Sequence, residues 1–170
     1  MGTKQTVAYE KTENLDETRR QRSRSRSRQI HYPDDLYWQC LRCHSCCGDT
    51  LEHSRHIRLL DREVRIIAYV TARDPKSFCT RITGFGFYEF EMLKQSTGDC
   101  IFLSRNICTI YEIRPLTCRF YPFFLEEPVQ GGYRFGLTNE KCPGLGQGQL
   151  LNEEFFKDLL NTARKKIPST

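Results

Sequence analysis

The sequence predicts an α+β fold: a small domain organised around metal, with short helices, a few short strands and a C-terminal amphipathic helix. Three observations predict it. Cys40, Cys43, Cys46 and Cys47 form a C-x-x-C-x-x-C-C run, whose two-residue spacers let the chain turn so that the sulfurs converge on one point. Aromatic residues are plentiful and clustered, in stretches that glycine and proline keep to strand length. One segment alone, Asn152 to Lys166, carries a complete helix signature from cap to last turn.

The chain has 170 residues, enough for one compact domain with a tail and short for two independent cores. Residues 1–30 have almost no apolar side chains and are expected to be a disordered tail, leaving residues 31–170 as the cysteine-cluster domain. The +5 net charge comes from one segment of that tail. Residues 19–28, RRQRSRSRSR, hold six arginines; without them 20 basic residues face 21 acidic ones. Such a repeat can grip nucleic acid by counterion release, but it has no aromatic residue to stack on bases, so a solvated tail is the simpler expectation. Gly2 and Thr6 fit a myristoylation pattern too short to weigh much. No run of about 18 apolar residues exists, so no membrane span is expected. The N-terminus lacks the apolar region of a signal peptide. A cytoplasmic location follows as the expectation, and there nine cysteines point to metal rather than to disulfides.

In chain order, the ordered domain is expected to begin near Tyr32. Leu59 to Ala72 reads as a helix with Asp61 as N-cap and Val64, Ile67 and Ala68 on one face. Asp74-Pro75 reads as a second helix start, with Phe78 facing inward and Cys79 beside it. Thr83 to Met92 reads as one strand bulged at Gly84 and Gly86. Cys100 to Leu103 is a short strand followed by a turn at Ser104-Arg105-Asn106. A helical turn from Cys108 is expected to end at Arg114-Pro115. Phe120–Leu125 and Tyr133–Leu137 pair as a hairpin. In the last helix Asn152 caps, Glu153 and Glu154 open, and Lys165 and Lys166 close, in the order the helix dipole favours.

The remaining cysteines extend the chemistry of the run. C-x-x-C-x-x-C opens a ferredoxin-type motif whose last ligand is a remote Cys-Pro, and Cys142-Pro143 supplies one. Cys100, Cys108 and Cys118 are spaced too widely for a zinc-ribbon knuckle. A [4Fe-4S] iron–sulfur cluster is therefore the expected cofactor and zinc the alternative. Eight cysteines can fill two four-sulfur sites, and spacing leaves the division open. Neighbouring side chains of an extended chain point opposite ways, so Cys46 and Cys47 can serve different sites. His44 reads as a spacer, or as a ligand in place of a sulfur. His31, His53 and His56 read as surface residues and Cys79 as a buried free thiol. Arg114 and Arg119 either donate to thiolates or pair with Glu112 or Glu126. Tyr111 and Tyr121 read as core. Gly144, Gly146 and Gly148 lack the preceding strand of a nucleotide fingerprint and read as a tight loop with amides facing sulfur.

Read together, CLRCHSCC at 40–47, GDCIFL at 98–103, CTIYEIRPLTCRFYPF at 108–123 and CPGLGQG at 142–148 resemble the YkgJ-type cysteine cluster family. That family is also described as the CxxCxxCC zinc- or iron-chelating domain. The resemblance spans about Tyr37 to Gly148. It implies eight cysteine ligands, Cys40, Cys43, Cys46, Cys47, Cys100, Cys108, Cys118 and Cys142, for zinc or iron–sulfur, and no settled reaction. His44-Ser45 stands where the family often has glycine. The expected role is a redox, metal-handling or partner-binding module, with an unidentified protein partner. The alternatives are an iron–sulfur-dependent enzyme similar to flagellin lysine N-methylase, and a nucleic-acid binder through residues 19–28. No methyl-donor site, P-loop or metalloprotease motif stands in the sequence to favour an enzyme.

Overall fold

The structure is a computed structural model that describes residues 29–126, 132–138 and 142–167. The Arg-Ser repeat and Gly2 lie outside the described residues. The first element among the described residues, β1 (Gln29–His31), begins slightly N-terminal to Tyr32. Short strands and three helices follow, as the α+β reading expects: β2 (Tyr37–Trp38), β3 (Arg58–Leu59), α1 (Asp61–Thr71), β4 (Cys79–Phe85), β5 (Tyr88–Met92), β6 (Leu103–Ser104), β7 (Ile107–Cys108), α2 (Leu116–Phe120), β8 (Phe123–Glu126), β9 (Gly132–Leu137), β10 (Gln149–Leu150) and α3 (Glu153–Lys166). The strands form small sheets ordered β1-β9-β8, β10-β2, β3-β5-β4 and β6-β7. No helix among the described residues is long and apolar enough to cross a membrane.

Two larger apolar cores and a smaller cluster of Leu60, Leu116 and Ala163 organise these pieces. The first gathers Ile57, Leu59, Val64, Ile67, Phe78, Met92, Phe102 and Ile110 from β3, α1, the β4–β5 hairpin and the loops around β6. The second is aromatic: Phe123, Phe135, Phe156 and Leu160, with Tyr32, Trp38 and Phe155 packed against them. Tyr32 stacks on Phe156 at 4.6 Å, and Trp38 meets Phe123 edge-on at 5.3 Å, geometries that rings favour. Beside the smaller cluster lies a buried carboxylate. Glu63 accepts from the amides of Leu60 (3.2 Å) and Leu116 (2.7 Å) and pairs with Lys166 (2.7 Å), tying α1, α2 and α3 together.

Several elements differ from the sequence reading. Glu63, rather than Asp61, closes the start of α1, because its longer side chain reaches back to the Leu60 amide. Asp74 caps only a 3-10 turn, Pro75–Ser77, by accepting from the Lys76 amide, though Phe78 is fully buried as expected. Cys79 then opens a strand. Thr83 to Met92 is two strands. Gly84 (φ 86) sits at the register shift in β4, and Gly86 (φ 60) makes the two-residue turn into β5. Cys100 to Leu103 is a turn with one bridge to Lys94, and only Leu103 enters a strand. The turn after it falls at Arg105 and Asn106, both at positive φ (48 and 60), the pair of conformations a type I′ hairpin needs. A 3-10 turn, Tyr111–Ile113, ends at Arg114-Pro115, and the chain re-enters a helix at once as α2, which the sequence reading lacked. β8 pairs with β9 as expected but starts at Phe123, because Phe120 belongs to α2, and the turn at 127–131 lies outside the described residues. α3, with Asn152 accepting from the Phe155 amide, stands as expected.

Candidate metal centre

The C-x-x-C-x-x-C-C run is coiled by two residues in the left-handed region, Arg42 (φ 53) and His44 (φ 63), and closed by a turn in which the Cys47 amide donates to His44 O (2.6 Å). This winding turns the spaced cysteines toward one side. They face a cavity of about 250 Å³ between the two apolar cores. Cys40, Cys43, Cys46, Cys47, Cys100, Cys108, Cys118 and Cys142 all line it, and Cys79 does not. All nine cysteines are free thiols. Ile57, Met92, Ile110 and Tyr121 form apolar wall, while Arg42, His44, Arg114 and Arg119 add polar lining.

Separate pieces of backbone deliver the distant cysteines. The Cys100 amide donates to Cys47 O (2.6 Å), and Gly48 bridges to Asp99 so closely that a Cβ at Gly48 would lie 2.5 Å from Asp99 Oδ1. Asp49 holds the same loop by accepting from Lys94 Nζ and the Arg55 amide, both at 2.6 Å. These contacts keep its carboxyl below the usual carboxylate range. Cys108 lies on β7 opposite Leu103, and Cys118 is within α2. Cys142 comes in on the glycine loop, where the Gln39 amide donates to Gly144 O (3.1 Å). A Cβ at Gly144 would lie 2.1 Å from Gln39 O, so only glycine allows that approach. The Gly146 amide donates to Tyr37 O (2.8 Å), not to sulfur as expected: the loop is pinned to the strand before the cysteine run.

Crowding and burial make these thiols resist ionising together. Cys100 is pushed up to about 11, chiefly by burial. Cys118 and Cys108 are raised by burial and by neighbouring thiols. Cys47 is raised first by its hydrogen bond with Cys46, then by burial and nearby cysteines. A bound cation reverses that balance, because positive charge at the sulfurs favours thiolate. Cationic side chains already stand close. Arg42 and Arg114 cover the Tyr111 ring at 4.2 and 4.0 Å, and Arg55 lies over Tyr121 at 4.6 Å. Arg114 favours the Cys108 thiolate by its charge and Glu112 favours charged Arg119, but both arginines direct their hydrogen bonds to backbone. They donate to the carbonyls of Tyr111 (2.9 Å) and Arg114 (3.1 Å), and Glu126 pairs with Arg134 instead. They clamp the Tyr111–Arg119 segment that carries Cys118.

One buried polar atom fits a sulfur-rich occupant. Trp38 Nε1 has no hydrogen-bond partner among the described residues, although Trp38 lines the cavity beside Cys40, Cys142 and Gly144. A buried N–H without an acceptor costs about 1–3 kcal/mol, and a metal-bound thiolate or sulfide is an acceptor. Among the described residues, no three of His, Cys, Asp or Glu are drawn together as tightly as a single ion requires. The sequence reading did not single out Trp38 or the apolar walls Ile57, Met92 and Ile110; of these, only Trp38, two residues before Cys40, carried a local signal. His31, His53 and His56 are exposed, and His56 pairs with Glu91 at 2.8 Å.

Comparison with known proteins agrees with this geometry. The family described as CxxCxxCC, "Putative zinc- or iron-chelating domain", matches residues 39–143. An uncharacterized protein of Methanocaldococcus jannaschii is 28% identical over 135 residues, covering 74% of this chain and 68% of the relative. No solved structure matches. With the matched segment running from Gln39 through the Cys142-Pro143 step and taking in every cysteine of the cavity, this chain belongs to the CxxCxxCC family.

Proposed function

We propose that this protein holds an iron–sulfur cluster of the [4Fe-4S] type, with zinc as the competing metal, and serves as a redox, metal-handling or partner-binding module in the cytoplasm. The observation that carries the proposal is the convergence of eight of nine cysteines on one cavity. The family's zinc- or iron-chelating description supports metal in general. Cluster over single ion is favoured by the ferredoxin-like order of Cys40, Cys43 and Cys46 with the remote Cys142-Pro143. It is also favoured by a cavity wider than one tetrahedral ion needs, since zinc–sulfur bonds are only about 2.3 Å long.

Cysteine thiolates would hold the group, and a cluster would supply one-electron chemistry where zinc would supply only structure. The chain's own residues do the rest. Arg42, Arg55 and Arg114 offset thiolate charge, Trp38 offers an N–H, and Ile57, Met92 and Ile110 keep water from the inner wall. The test is purification of the full chain under strict anaerobiosis, with iron, acid-labile sulfide and zinc measured on one sample. Brown protein with a broad visible charge-transfer band and equal iron and sulfide is expected. Colourless protein with stoichiometric zinc and no iron, even with iron supplied, would replace the cluster by zinc.

A further inference from the structure

We infer that the eight cysteines divide into two four-sulfur centres, an outer one of Cys40, Cys43, Cys46 and Cys142 and an inner one of Cys47, Cys100, Cys108 and Cys118. The division rests on the metal-binding reading above and goes beyond it, because that reading is equally compatible with one fused centre.

Packing separates the two sets. Cys100 belongs to the first apolar core, and Cys47, Cys108 and Cys118 pack directly against it. Cys40, Cys43, Cys46 and Cys142 take no part in that core, and Cys40 and Cys43 are exposed. Backbone bonds separate them along the same line. The Cys100 amide is bonded to the Cys47 carbonyl, the Leu103 amide to the Cys100 carbonyl (2.8 Å), and Leu103 faces Cys108 across β6–β7. Three inner cysteines are therefore held in one hydrogen-bonded strip. On the outer side, Gly144 is bonded to Gln39 and Gly146 to Tyr37, which fastens the Cys142 loop to the residues just before Cys40.

The dividing line falls between Cys46 and Cys47. The turn that ends at Cys47 packs that residue against the first core, which Cys46 does not join. Each side then has four sulfurs, the number that a tetrahedral zinc or a four-iron cluster takes from cysteine. The outer four are also the ferredoxin-like set. Cys46 interacts with three of the inner four, Cys47, Cys108 and Cys118, so a fused centre is the arrangement the experiment must separate.

The experiment compares the anaerobically purified full chain with Cys43→Ser/Cys142→Ser and with Cys47→Ser/Cys108→Ser, measuring iron, sulfide and zinc per chain. The native chain is expected to carry two centres' worth of metal. Each double variant should lose one centre's metal and keep the other's, which is a twofold fall where both hold the same metal. The outer pair decides alone if the inner variant does not fold, since its residues lie outside the apolar core. Loss of all metal from the outer variant, or one centre's worth in the native chain, overturns the division and leaves metal binding standing. A native chain that takes up neither iron nor zinc, with both and sulfide supplied, overturns the metal reading and the division together.

Discussion

His44 has a left-handed backbone (φ 63) inside the cysteine run, where its Cβ costs something that glycine would not pay. Histidine enters that region more readily than β-branched residues, which is how the run tolerates it. Its side chain lines the cavity, so two roles remain to be separated: bend and ligand. We expect His44→Gly to keep its full metal content and to raise stability by up to about 1 kcal/mol, because the strained φ is relieved while the eight sulfurs stay in place. Denaturant midpoints and metal analysis of the pure variant check this. Loss of metal would make His44 a ligand. Trp38 can be tested the same way. Trp38→Phe keeps a ring against Phe123 but removes Nε1 with the pyrrole part of the indole, so a cluster that accepts its N–H should shift in reduction potential, while a zinc site should show no redox signal in either form.

At the scale of elements, α1, α2 and α3 are joined through Glu63, whose side chain is 1% exposed. Replacing it by alanine leaves the Leu116 amide and the Lys166 ammonium without their acceptor. We expect Glu63→Ala to cost about 3–5 kcal/mol, read as a fall in the unfolding midpoint. Glu63→Gln should cost less, because an amide oxygen can still accept from Leu116. A loss in Glu63→Ala below about 1 kcal/mol would show that the pair is not what joins the helices. This element scale also shows what the sequence could tell. Helix α3 was legible because cap, dipole order and the Phe156–Leu160–Ala163 stripe all agree within 14 residues. The turn at Arg105-Asn106 was legible in place but not in type. Glu63's role was hidden because its partners Leu116 and Lys166 are far along the chain. Helix α2 was missed because five residues after a proline carry no period to read. The β4–β5 hairpin was read as one strand because Gly86 looked like a second bulge, and only pairing partners distinguish a bulge from a turn. The cysteines themselves were legible as a set from their spacing and family resemblance, whereas their neighbours in the cavity depend on folding.

For the whole molecule, the arrangement of the two cores predicts how metal and folding are coupled. The first core includes Cys79 and Cys100 and is flanked by Cys47, Cys108 and Cys118; the second contains no cysteine at all. Structural metal sites contribute their binding energy directly to folding, so the half built on thiols depends on metal while the aromatic half does not. Without a cation, the buried thiols near Ile57 and Met92 must stay neutral, and the 47–49 and 98–100 loops are left to the packing of Cys47 and Cys100, a few hydrogen bonds and the Asp49–Lys94 pair. Chelation of the full chain under reducing conditions should therefore speed amide exchange in β6, β7 and the Cys47–Cys100 contact by about tenfold or more, equivalent to about 1.4 kcal/mol. Exchange in the β8–β9 hairpin and α3 should change far less. Glu63 sets the limit of this independence: if it couples the cores strongly, α1 and α3 will loosen together, and Glu63→Gln should then spare α3 on metal removal. Equal loss of protection in both cores of the native chain would mean one cooperative unit held by metal. No change in either would make the metal an accessory to a fold that stands on its apolar cores alone.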